Sequence, residues 1–102
     1  MKKALLITAI IALAGAIGTA QAADAAAGKA KATACAGCHG PSGEGVGQNP
    51  ALAGIPQAKF VQAMKDYKSG KRPNPVMKNF AAPLDDNDVA NLAAYYASLK
   101  KK

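Results

Sequence analysis

The chain has 102 residues, 13 basic against 6 acidic, a formal net charge of +7, two cysteines and one histidine. That length allows one small domain, and two cysteines with one histidine fall short of a four-ligand structural zinc site. Aromatic residues make up 5% of the chain, too few for a surface that stacks nucleic-acid bases.

The first 22 residues read as a leader. Lys2 and Lys3 precede an uncharged, almost wholly apolar run from Ala4 to Ile17, and Ala20-Gln21-Ala22 follows with small residues where a signal peptidase cuts. This predicts a secretory signal peptide over residues 1–22, removed after Ala22. The charge-free run is short for a membrane anchor. Residues 23–102 then form the mature domain, exported to the oxidising periplasm. Losing Lys2 and Lys3 leaves eleven bases against six acids, a net charge of +5.

In the mature part no run reads as a strand, because Thr33, Val46, Ile55, Val61, Val76 and Val89 stand isolated. Asp24 is placed to cap an alanine-rich helix over Ala25–Cys38. Gly40–Pro50 has loop composition. Pro56 suits the first position of a helix and Gly70 its stop, with Phe60, Val61, Met64 and Tyr67 at helical spacing between them. Lys71–Pro83 holds three prolines and reads as mostly irregular. Asp85 caps a final helix, with Asp88 three residues on and Val89, Leu92, Tyr95, Tyr96 and Leu99 as its buried stripe.

These helices lack a core of ordinary size. After residue 22 only eleven residues are Leu, Ile, Val or Phe, and small domains with so little apolar bulk need a staple. A Cys35–Cys38 disulfide would close a tiny loop and add little. A large apolar cofactor held covalently would supply what the sequence omits.

Cys35, Cys38 and His39 lie together in CAGCHG and spell C-x-x-C-H. A thioredoxin-like C-x-x-C belongs to a βαβ pattern, which is absent, and zinc lacks a fourth ligand. The remaining use is c-type haem attachment. Cys35 and Cys38 would form thioethers with the two vinyl groups, and His39 would ligate iron. The other axial position decides function. A thioether there closes the iron and suits electron transfer, whereas an open position suits gas or peroxide chemistry. Met64 sits within a helical stripe and reads as core filling. Met77, on the stretch NPVM stiffened by proline, is the candidate ligand.

With CAGCHG, NPALAG, NPVM and LDDNDVANLAAYYASL in this order, the chain resembles the class I c-type cytochromes, the small monohaem bacterial kind. It is similar to one half of a two-domain dihaem carrier. The resemblance covers the whole mature chain and implies an all-α fold of about three to four helices wrapped around one covalent haem c. It implies that the first and last helices cross, with Gly28 and Tyr95 at the crossing. It also implies that the Pro50 carbonyl accepts the Nδ1–H of His39. Some members bond the methionine sulfur to an Asn three residues later; Phe80 stands at that position here, with Asn79 one short.

The Gly43–Gly47 run lacks a preceding strand and a P-loop lysine, so it reads as a loop near the haem edge and not as a phosphate site. Lys65, Lys68, Lys71, Arg72 and Lys78 surround the Met77 segment. They form either a docking face for an acidic redox partner or an ordinary solvated surface. The expectation is a soluble periplasmic one-electron carrier, not an enzyme, monomeric or a weak dimer. It would exchange electrons with partner proteins, membrane-bound oxidases or reductases among them. A haem sensor or peroxidase-like protein, and an electron-entry subunit of a larger enzyme, are the rival classes.

Overall fold

The computed structural model describes residues 23–101; the expected leader over residues 1–22 and its cleavage point lie outside them. Five helical segments follow one another: α1 (Ala25–Lys31), α2 (Thr33–His39), α3 (Gln57–Ser69), α4 (Pro75–Ala81) and α5 (Asp86–Ser98). Among the described residues there is no strand, only an isolated antiparallel bridge between Val46 and Asn49.

Helices α1, α4 and α5 start where a side chain supplies an acceptor for free N–H groups. The Asp24 carboxylate accepts from the N–H groups of Ala26 and Ala27. At α5 the capping box is complete: Asp85 accepts from the Asp88 N–H at 2.7 Å, and Asp88 accepts from the Asp85 N–H at 3.1 Å. Pro56 lies one residue before α3, as its N-cap in extended conformation, not as its first helical residue. Gly70 ends α3 in the left-handed conformation, with φ 84°.

Two segments depart from the expected boundaries. The single helix expected over Ala25–Cys38 divides at Ala32, whose ψ relaxes to −12° and whose carbonyl accepts from both Cys35 N–H and Ala36 N–H. Alanine carries no signal for such a break. Ala32 is buried in the core, so packing sets the bend. The stretch Lys71–Pro83 is not mostly irregular. Asn74 accepts from the Met77 N–H at 3.1 Å, and Pro75 occupies the first helical position, where its missing N–H costs nothing.

Helix α1 packs across α5, and α3 packs on both α5 and α4. At the crossing of the first and last helices, a Cβ on Gly28 would lie 2.5 Å from the Asn91 carbonyl carbon and 3.0 Å from Leu92 N. Only glycine lets the two backbones approach so closely. The Asp24 N–H donates to Asn91 Oδ1 at 2.8 Å, tying the start of α1 to α5. Tyr95, one turn beyond Asn91, is half-buried against the core. The core itself is small. Its large members are Phe60, Met64, Val89, Leu92 and Tyr96, and the remainder are alanines. No helix among the described residues is long and apolar enough to cross a membrane.

Candidate functional site

A cavity of about 400 Å³ opens between α2, the loop that follows it, α3 and α4. Cys35, Cys38 and His39 reach its wall from α2, Pro50, Leu52 and Ile55 from the loop, Phe60 and Met64 from α3, and Met77 and Phe80 from α4. Residues far apart in sequence thus meet around one space, floored by Leu84 and Leu92.

Helix α2 carries both thiols within one turn of the histidine. Both are free, Cys35 half-buried and Cys38 exposed. Burial, the largest influence, pushes the Cys35 thiol above its ordinary pKa, against a smaller lowering by the Tyr96 hydroxyl. His39 is 7% exposed, and its Nδ1–H donates to the Pro50 carbonyl at 2.7 Å. A carbonyl can only accept, so this bond fixes the tautomer and leaves Nε2 with its lone pair. The His39 carbonyl in turn accepts from the Gly45 N–H at 2.7 Å.

The loop holds its course against α5. Leu52 and Ala53 both donate backbone N–H groups to the Gly43 carbonyl. Gly43 has φ 67°, and a Cβ there would lie 2.8 Å from the Tyr96 ring. Glycine is required on both counts. The Tyr96 carbonyl accepts from the Gly54 N–H at 2.8 Å, so the loop that carries Pro50 and Leu52 is bonded to Tyr96 at its end and passes close to the ring of that buried tyrosine at Gly43.

Met77 lies in the first turn of α4, half-buried, its backbone held by the Asn74 cap. Met64 also reaches the cavity wall but is 4% exposed and belongs to the core cluster. Three further residues that sequence reasoning did not assign to the site stand in the wall: Tyr67, Arg72 and Asn74. Asn74 followed by Pro75 is a helix-start signal that could have placed this segment.

The basic residues near Met77 do not form one uniform surface. Lys68 is half-buried and donates to the Leu84 carbonyl, whereas Arg72, which lies over the Tyr67 ring, and Lys65, Lys71 and Lys78 are exposed.

The cavity's residues fit a flat, largely apolar group carrying one metal ion. The wall is mostly hydrocarbon, two thiols stand at one place on it, and the available donors are an imidazole nitrogen and a thioether sulfur. Among the described residues no group of three or more His, Cys, Asp or Glu could hold a metal ion by itself.

Comparison with known proteins agrees with this geometry. The family model described as Cytochrome c matches residues 25–100. Cytochrome c4 of Pseudomonas aeruginosa is 44% identical over 98 residues, which cover 94% of this chain and 48% of that protein. Cytochrome c-553 of Helicobacter pylori is 34% identical over 102 residues, covering 98% of this chain and 100% of that protein. A solved structure of Acidithiobacillus ferrooxidans cytochrome c4 superposes with a TM-score of 0.74 at 31% identity, covering 79% of this chain and 52% of that one. The chain spans about half the length of both cytochromes c4, in keeping with a likeness to one half of a two-domain carrier.

Proposed function

Because the chain belongs to the cytochrome c family, we propose that it is a periplasmic one-electron carrier with Cys35 and Cys38 as haem attachment points and His39 and Met77 as axial ligands. The family carries covalently bound haem c, and Cys35 and Cys38 have the spacing of its attachment motif. When bound, that group supplies one-electron storage by alternation of its iron between ferric and ferrous states.

The protein's own residues do the rest. Cys35 and Cys38 would hold the group covalently, each thiol adding across one vinyl group, which needs neither oxidant nor leaving group. His39 offers Nε2 to the metal, while its bond to Pro50 orients the ring and raises its basicity. Met77 would offer the metal a soft sulfur, which favours its reduced state. Leu52, Ile55, Phe60 and Leu84 keep water from the site. A chain doing this work binds no substrate. After leader removal its net charge of +5 suits an acidic redox partner and a salt-sensitive encounter.

The observation that carries the reading is the meeting of both thiols, the only histidine and Met77 around one cavity. The test is the exported protein's absorption spectrum in both redox states, with denaturing electrophoresis and N-terminal sequencing. A mature chain beginning at Ala23, colour retained on the gel and a low-spin spectrum with the ferric methionine–iron band are expected. A colourless folded chain overturns the reading. Tight binding of carbon monoxide by the ferrous protein overturns the closed axial site and favours a sensor or peroxidase-like protein.

A further inference from the structure

The chain contains one arginine, Arg72, among 13 basic residues. It stands in the cavity wall beside Tyr67 and Asn74. The loop between α3 and α4 holds it by its own backbone, whose N–H donates to the Asp66 carbonyl at 3.0 Å. Its guanidinium carbon lies 5.1 Å from the centroid of the Tyr67 ring. The ring attracts the cation through its quadrupole but cannot satisfy five N–H donors. Lys31 is the other cation in the wall, and it pairs with Asp88 at 3.6 Å. Among the described residues Arg72 has no carboxylate partner.

Haem c would bring two carboxylates, its propionates, to the cavity. A carboxylate against an apolar wall is costly unless it is paired and hydrogen-bonded. A planar, permanently charged fork pairs with a carboxylate in two parallel hydrogen bonds, which an ammonium cannot do. The geometry points to Arg72 as the residue that receives a propionate carboxylate of the bound haem, with Tyr67 as the platform that holds the guanidinium in place. This rests on the functional reading above. It makes Arg72 a positioning residue whose charge offsets a negative group close to the iron and so favours the ferrous state.

Because Arg72 is the only arginine, arginine labelled with nitrogen-15 gives one guanidinium signal. In the reduced, diamagnetic protein we expect slowly exchanging side-chain N–H groups with nuclear Overhauser contacts to the propionate methylene protons. Arg72→Gln lowers the reduction potential, Arg72→Lys falls between it and the unmodified protein, and Lys71→Gln, which removes a neighbouring exposed charge, leaves it nearly unmoved at salt high enough to screen distant charges. A guanidinium in fast exchange without contacts to haem protons overturns the assignment, as does an equal shift in Arg72→Gln and Lys71→Gln. The labelling measurement uses the unmodified chain, so it decides the matter even if Arg72→Gln does not accumulate. A chain that takes up no haem fails the functional reading first; a loaded chain with a freely mobile Arg72 fails this assignment alone.

Discussion

Replacing Gly28 by alanine tests the helix crossing on which the whole arrangement rests. The new Cβ would stand 2.5 Å from the Asn91 carbonyl carbon, about 0.9 Å short of the 3.4 Å at which ordinary contact begins. The atoms it meets are backbone atoms of α5, so no side-chain rotation relieves the crowding and the helices must part. Overpacking of this kind costs about 1–3 kcal/mol and sometimes more. Alanine returns about 1 kcal/mol through helix propensity. Parting also strains the Asp24–Asn91 hydrogen bond, so the loss falls at the upper end of that range or beyond. The net expectation is a destabilisation of about 2 kcal/mol or more, or a Tm lower by about 8–16 °C in a domain this small. Gly37, in α2, provides the control, because a Cβ there meets nothing within 4 Å; Gly37→Ala should gain about 0.5–1 kcal/mol. Urea denaturation of the loaded protein, followed by far-ultraviolet circular dichroism and by visible absorption, measures both. A Gly28→Ala protein as stable as its parent would show that α1 and α5 do not approach as described.

Met77→Ala should abolish the ferric methionine–iron band and lower the reduction potential, whereas Met64→Ala should keep the band and lose about 2–5 kcal/mol through its buried cavity. The opposite pattern would exchange their roles. Asp85→Ala removes the carboxylate half of the capping box on α5, which accepts from the Asp88 N–H, and should cost about 1 kcal/mol in urea denaturation; no loss would mean that the last helix starts elsewhere. Tyr96 is held above the ordinary tyrosine pKa of 10.0 chiefly by burial, and, where Cys35 is a free thiol, second by that neighbour. Below pH about 10 it is neutral in both folded and unfolded chains and contributes no pH dependence. Above that, the unfolded chain loses this proton first, so stability falls as pH rises. Tyr96→Phe should flatten that decline, and an identical slope in the variant would refute the account.

Much of this site could be read from the sequence because its strongest signals are local. CAGCHG places two sulfurs and an imidazole on one helical turn whatever surrounds them. Asp24, Asp85 and Gly70 act on N–H and C=O groups within a few residues, so the helix ends they mark stand where expected. The misreadings arise where distant packing or competing local signals decide. Ala32 has no side chain to announce a bend, and its burial creates one. In Lys71–Pro83 three prolines read as breakers, yet Pro75 after Asn74 starts a helix, and Met77 consequently stands on α4 and not on a loop. Arg72 could not be told from the lysines around it, because what separates it is the turn after α3 that folds it back over the Tyr67 ring.

The covalent link also explains how so small a core can serve. A ligand held by equilibrium stabilises a fold in proportion to the logarithm of its free concentration over its dissociation constant. That concentration is not under the protein's control. Two thioethers remove the dependence: once attached, the group cannot be diluted away, and the cavity bounded by Leu52, Phe60, Leu84 and Leu92 keeps its filling at any concentration. The chain can then use alanine along much of α1, α2 and α5, where bulkier side chains would otherwise be needed to build a core. The same economy brings Gly28 against Asn91, since helices with little between them must touch backbone to backbone. The sparse core, the close crossing and the paired cysteines are thus three consequences of one choice, to carry the largest apolar body of the fold as a bound group and not as side chains.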